Sequence, residues 1–240
     1  MSDLFPREEE KAPAGLFGFI LGSEAGFYLI VANVAAFGFF RYTAWGNSLL
    51  DYVVLYPENF FNAKNFLCLI TSGFIHANTS HLFWNILGIY VFSRIVERRL
   101  GIAGTFIVYF GSLFISMLAS IFVYTYVLQQ NTIIIGASGA VMGLVAASML
   151  LDPFAITFEL MVPLPVIIKG WMFLFADLKG LLNAENDGIS HLVHLFGFLS
   201  IGILVYFLSE EAKKTMSIGL VINILSFIAF LFLQHWYSLP

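Results

Sequence analysis

Ser138 is the one hydrogen-bonding side chain between Ile133 and Ala147, in the run Asn131-Thr-Ile-Ile-Ile-Gly-Ala-Ser138-Gly-Ala-Val-Met-Gly143. Two chemistries suit a serine flanked in this way by Gly136 and Gly139. At a helix start its oxygen can cap first-turn N–H groups. With a base beside it, the same hydroxyl becomes a nucleophile for acyl transfer. Four of the five histidines fall in two clusters, His76 with His81 and His191 with His194. Asn85 follows His81 by four residues and shares its helix face, and Gly197 follows His194 by three and does the same. Attack on an amide carbonyl creates an oxyanion that needs donors aimed at it. His81, Asn85 and the Ser138 N–H are candidate donors, with a polar clamp between helices as the other reading of His81 and Asn85. His76, in a loop, reads as a structural hydrogen bond. His191 lies one turn nearer the surface than His194 and ranks behind it; His235 sits near the chain end and carries no reading.

The elements holding these residues are apolar. The 240-residue chain is 60% hydrophobic and 11% charged, whereas a soluble domain carries about 25% charge. Its apolar runs approach the roughly 20 residues of a membrane-spanning helix. The composition therefore predicts an all-α, polytopic membrane helical bundle. Seven spans are expected, near 25–44, 79–97, 101–128, 138–151, 161–182, 189–208 and 215–235. The net charge of −4 points to no nucleic-acid partner, and the lone Cys68 allows no internal disulfide. The run Arg7-Glu-Glu-Glu-Lys11 supplies neither a cationic n-region nor a cleavage site, so no removable signal peptide is expected. Between the first two spans, residues 45–78 carry Tyr52, Tyr56, Phe60, Phe61 and Phe66 and are expected to lie in the membrane interface.

The fourth span is short. Fourteen helical residues rise about 21 Å against a hydrocarbon core about 30 Å thick. The segment 129–137 must then dip inward to meet Ser138, and non-helical backbone at that depth needs protein or water around it. The distribution of Lys and Arg favours a cytoplasmic N-terminus. The second, fourth and sixth spans then all run from outside to inside, with His81, Asn85, Ser138 and His194 in their N-terminal portions. Gly139, Gly143 and Ala146 form a small-residue stripe on the fourth span, and Gly197 faces it from the sixth. Such stripes let helix backbones approach closely, more often for packing than for chemistry. Lys169 and Asp177 are expected toward opposite ends of the fifth span, reaching the interfaces by snorkelling. No acidic residue is expected beside the histidines.

With these motifs in place, the chain resembles the rhomboid intramembrane serine proteases. The matching residues are Thr71-Ser-Gly-Phe-Ile-His76, His81-Leu-Phe-Trp-Asn85, Gly136-Ala-Ser138-Gly-Ala140 and Ser190-His-Leu-Val-His194-Leu-Phe-Gly197. Their order and spacing match over about residues 45–205. The resemblance implies a Ser138–His194 dyad without an acidic third member. It implies an oxyanion site of His81, Asn85 and the Ser138 amide, with Gly136, Gly139, Gly197 and His76 in support. It also implies transmembrane protein substrates within the lipid bilayer and no metal or other cofactor. Three positions depart from the family pattern. Leu67-Cys68 stands where a Trp and a polar or basic residue are common. Met142 replaces an aromatic, and Phe196 a small residue, which would widen the spacing of the sixth helix from the fourth.

The expected organisation is a short cytoplasmic N-terminal segment (1–24), a rhomboid-like six-helix catalytic core (25–208) and a loop with one C-terminal transmembrane helix (209–240). The protein is expected to be multi-pass in the cell membrane, with its site opening to the outer side. A rhomboid-like protein that binds membrane clients without cleaving them is the alternative. A metal-dependent hydrolase built on His76, His81, His191 and His194 lacks a His-Glu-x-x-His pattern, and a transporter lacks an internal repeat.

Overall fold

The computed structural model describes residues 22–56, 66–157, 162–183 and 190–237, with side chains described as far as Phe232. Expectations that fall on Arg7, Lys11, Phe60, Phe61 and the side chain of His235 lie outside the described residues.

The described chain is built almost wholly of helices. In order they are α1 (Glu24–Tyr42), α2 (Ala44–Val53), α3 (Cys68–Thr71), α4 (Thr79–Phe122), α5 (Ser138–Leu151), α6 (Val166–Leu182), α7 (His191–Leu199), α8 (Ile201–Leu204) and α9 (Glu210–Tyr237). A two-residue antiparallel pair, Ile156–Thr157 with Leu164–Pro165, joins α5 to α6. Among the described residues, Glu24–Tyr42, Thr79–Val127 and Glu210–Phe232 are long and apolar enough to cross a membrane. The second of these is two spans in one, because α4 turns back on itself at Gly101, where φ is 72° and ψ is −179°. That backbone belongs to glycine alone.

Two differences from the sequence expectation have local causes. The fifth span starts at Val166 rather than near 161, because Leu164 and Pro165 are paired with Thr157 and Ile156. The last helix starts at Glu210 rather than near 215: the Ser209 hydroxyl accepts a bond from the Ala212 N–H at 3.2 Å, which caps it. Glu210 and Glu211 then occupy the first turn, where negative charge favours the helix dipole.

One end of the bundle is closed by ionic and capping contacts. The Glu97 carboxylate accepts hydrogen bonds from the N–H groups of Glu24 and Ala25, both at 2.8 Å, and so caps α1 from α4. Arg99 reaches Asp152 beyond the end of α5 at 2.9 Å. At the centre lies α5, against α4, α6, α7 and α9. Every residue of α5 is buried except Ser138, Val141 and Leu150. A helix apolar on all sides has no solvent face to offer, so it must be surrounded.

Candidate active site

The interior contacts set a register that brings the sequence-selected residues to one end of α5. Going down α5, a side chain on Gly139 would strike Ser116 and one on Gly143 would strike Ser112, both from the second arm of α4. Numbers rise on one helix as they fall on the other, so this arm is antiparallel to α5. The first arm runs the other way: a Cβ on Gly88 would stand 2.5 Å from Val141, and Ser148 Oγ donates to the Phe92 carbonyl at 3.4 Å. It is parallel to α5, and its His81 end lies level with the start of α5.

Helix α7 follows the same sense. A Cβ on Gly197 would collide with the Gly139 carbonyl oxygen and stand 2.9 Å from the Gly139 Cα. Ser200, one turn later, donates to Ser112 Oγ at 2.8 Å, beside Gly143. His194, one turn earlier on the Gly197 face, therefore lies level with Gly136 to Ser138. The expected widening of α7 from α5 by Phe196 does not occur. Gly197, next to it, presents bare backbone to bare backbone.

The loop before Ser138 is held by protein rather than left open. Gly136 N–H donates to the Ser72 carbonyl at 2.9 Å, and Ile134 N–H to the Leu55 carbonyl at 3.1 Å. Thr71 Oγ1 in turn bonds the Val53 carbonyl at 2.9 Å. These bonds satisfy non-helical backbone that a membrane interior would otherwise penalise. Gly136 adopts a φ of 104°, outside the range of residues bearing a Cβ. The space a Cβ would take is filled by His81, whose Nε2 and Cε1 lie 2.6 Å from that point.

Ser138 is not a helix cap. The cap residue of α5 is Ala137, with no side-chain cap bond, and Ser138 is half-buried. Its hydroxyl makes no hydrogen bond to any described residue, His194 included. The first-turn N–H groups of α5, Ser138's among them, have no intrahelical acceptor. Asn85 is 4% exposed and spends one amide hydrogen on the His81 carbonyl at 2.8 Å. His76 makes a local bond, Nδ1 to the Phe74 carbonyl at 3.3 Å, and its ring meets that of His81 edge-on at 5.0 Å. Burial, then the neighbouring His81, lower its pKa to about 4. Cys68 is buried in the core near the Tyr52 carbonyl, at 3.4 Å, so a small side chain suits that position.

The expectation of no acid beside the histidines is overturned. Asp177 on α6 is 7% exposed, and its Oδ1 meets His194 Nδ1 at 2.8 Å and His191 Nδ1 at 2.9 Å. It does not snorkel to an interface. Lys169, two turns earlier on α6, bonds Thr157 Oγ1 at 2.6 Å. The sequence signal for Asp177 was its presence within an apolar helix, since such residues face the bundle interior and pair there. By spacing, Asp177, His191 and His194 are also the described group that could hold a metal ion, their ligand atoms lying within 4.8 Å of one another. The 2.8 and 2.9 Å separations are those of N–H···O hydrogen bonds. A hydrogen bond between Tyr124 and Ser190, 3.2 Å long, ties the start of α7 to the end of α4.

Comparison with known proteins bears on the whole arrangement. A family model described as Rhomboid domain matches residues 63–211. The chain is 32% identical over 155 residues to Rhomboid-like protein 11, chloroplastic, of Arabidopsis thaliana, covering 61% of this chain and 54% of that protein. It is 32% identical over 147 residues to YdcA of Bacillus subtilis, named as a candidate rhomboid protease, covering 61% of this chain and 68% of that protein. The chain thus spans about half the length of the plant relative.

Proposed function

The chain belongs to the rhomboid family and is an integral membrane protein, and from that premise we propose that it is an intramembrane serine endopeptidase working through Ser138 and His194. The observation that carries this reading is the convergence of Ser138, His81 and His194 at one end of α5, with the Ser138 hydroxyl hydrogen-bonded to no described residue. Catalytic hydrogen bonds are often loose before substrate binds.

In the proposed reaction, Ser138 Oγ attacks the carbonyl carbon of the scissile peptide while His194 Nε2 takes the hydroxyl proton. The resulting oxyanion is met by the Ser138 N–H, by His81 and by the second amide hydrogen of Asn85. His194 then gives its proton to the leaving amine, which departs as the new N-terminus. Water, deprotonated by the same imidazole, hydrolyses the acyl-enzyme and restores Ser138. Each well-aimed donor to an oxyanion is worth about 10²–10³ in rate.

The substrates are proposed to be transmembrane segments, presented from the lipid at the level of Ser138. The site is proposed to open to the outer side of the cell membrane, with the N-terminus cytoplasmic and residues 25–208 as the catalytic core. Cleavage of a transmembrane substrate by the purified protein in liposomes tests the reading, with Ser138→Ala and His194→Ala beside it. Loss of cleavage in both variants is expected; equal cleavage by Ser138→Ala removes Ser138 as nucleophile. Binding of the substrate without cleavage by the wild type would instead mark a client-binding relative.

A further inference from the structure

We propose that Asp177 is a positioning residue for His194, so that the centre works as a Ser138–His194–Asp177 triad with His191 holding the carboxylate in place. The inference rests on the protease reading above and deepens it.

The argument begins with a proton. An ionised carboxylate can only accept hydrogen bonds. His194 Nδ1 lies 2.8 Å from Asp177 Oδ1, so Nδ1 carries the hydrogen and Nε2 keeps its lone pair. That is the tautomer a general base needs, since Nε2 is the other nitrogen of the ring. When Nε2 takes the Ser138 proton, the imidazolium forms against a carboxylate that is already in place. In Ser-His-Asp triads the buried acid holds the ring in the same tautomer and stabilises the cation without itself being protonated.

His191 completes the argument, because Asp177 Oδ1 serves two imidazoles. His191 Nδ1 donates to it at 2.9 Å, and its ring fills the space where Gly180 of α6 lacks a side chain. A carboxylate in an apolar helix is costly unless donors satisfy it, and here two donors converge on one oxygen. The side chains of Asp177, His191 and His194 are 9%, 10% and 20% exposed. His194, the most open of the three, is the one placed to meet substrate. The titratable groups that face it are Asp177 from α6, His191 on its own helix and His81 from α4. No step in this scheme requires a metal.

The test uses the full-length protein in liposomes. Asp177→Asn is expected to lower kcat for a transmembrane substrate by about 10²–10⁴-fold, the range for losing the correct tautomer, while KM changes less than threefold. Asp177→Glu restores part of kcat. In the wild type, ¹⁵N NMR of labelled histidine shows the hydrogen of His194 on Nδ1 and Nε2 bare. A wild type whose His194 carries its hydrogen on Nε2 overturns the proposal, and this reading needs no variant to fold. So does an Asp177→Asn protein with kcat within threefold of wild type, or an effect confined to KM, which a structural clamp would give. Cleavage unaffected by a chelator is expected; loss of cleavage on chelation, restored by zinc, overturns the triad in favour of a metal at Asp177, His191 and His194. A wild type that neither cleaves nor reacts with a fluorophosphonate would defeat the protease reading itself.

Discussion

The imidazole of His81 occupies the space that a side chain on Gly136 would need, with Nε2 2.6 Å from the missing Cβ position. Two residues later comes Ser138. The glycine therefore does two things: it permits a φ of 104°, and it admits a ring nitrogen beside the start of α5, where the proposed nucleophile stands.

Gly136→Ala should separate these effects from global stability. A Cβ there is strained by the backbone and blocked by the ring, at a cost on the order of 1–3 kcal/mol. The expected outcome is a protein with a lowered melting temperature and at least a tenfold loss of kcat, as His81 is pushed from the oxyanion. Wild-type kcat in the folded variant would show that His81 does not serve there.

The contact of Gly197 with Gly139 carries the second prediction. Gly197→Leu must drive α7 away from α5, an overpacking that costs about 1–3 kcal/mol. It leaves Ser138 and His194 chemically intact but separates them. Fluorophosphonate labelling of Ser138 should fall more than tenfold in protein that still melts cooperatively. Labelling at the wild-type rate would mean that this helix contact does not set the Ser138–His194 distance.

Asn85→Ala removes a donor and leaves Ser138 and His194 in place. A loss of about 10²–10³ in kcat is expected, with KM little altered. Because Asn85 also bonds the His81 carbonyl at 2.8 Å, thermal melting is measured in parallel. A large loss of stability with kcat preserved would make Asn85 a polar clamp only.

His76 predicts a pH dependence of stability. Its folded pKa is lowered from 6.5 to about 4, by burial first and then by His81. Above pH 6.5 the ring is neutral in both states and contributes no pH dependence. As pH falls from 6.5 toward 4, the unfolded chain binds a proton that the folded chain refuses, so stability declines, by at most about 3 kcal/mol at 1.36 kcal/mol per pKa unit. Melting in detergent across that window should show the decline in wild type and a smaller one in His76→Gln. Equal slopes would assign it to other groups.

The route of substrate entry gives the last of these. Phe92 of α4 and Phe173 of α6 meet edge-on at 6.2 Å, while Trp171 stacks on Phe227 of α9 at 5.1 Å. If α6 swings to admit substrate from the lipid, a bifunctional thiol-reactive crosslink between cysteines placed at 92 and 173 should stop cleavage of a transmembrane substrate and spare labelling by a small fluorophosphonate. Cleavage that continues undiminished in the crosslinked protein would discard α6 as the gate.

The contrast between Ser138 and Asp177 shows what the chain made legible. Ser138 stood out because nothing polar surrounds it in sequence, and α5 begins and ends where its apolar run does, at Ser138 and Leu151. The shared level of His81, Ser138 and His194 followed from counting spans, since alternate helices run the same way. Asp177 is visible in the sequence, but its partner is not. A charged residue in an apolar helix has two outlets, the interface or a buried partner, and local sequence does not tell them apart. The choice depends on which face of α6 meets α7, which is a matter of tertiary packing. Gly180 held the clue, for its missing side chain makes room for His191. Met142 is buried at 5% exposure, and nothing in the structure explains why it stands where an aromatic is common.

The central claim is that the Ser138 hydroxyl is activated by His194. The most direct measurement is the rate of covalent labelling by a fluorophosphonate in liposomes, compared among wild type, Ser138→Ala and His194→Ala. Labelling of the wild type at Ser138, with none in Ser138→Ala and a loss of at least a hundredfold in His194→Ala, is the predicted result. Labelling of Ser138 that persists at the wild-type rate without the His194 imidazole would contradict it.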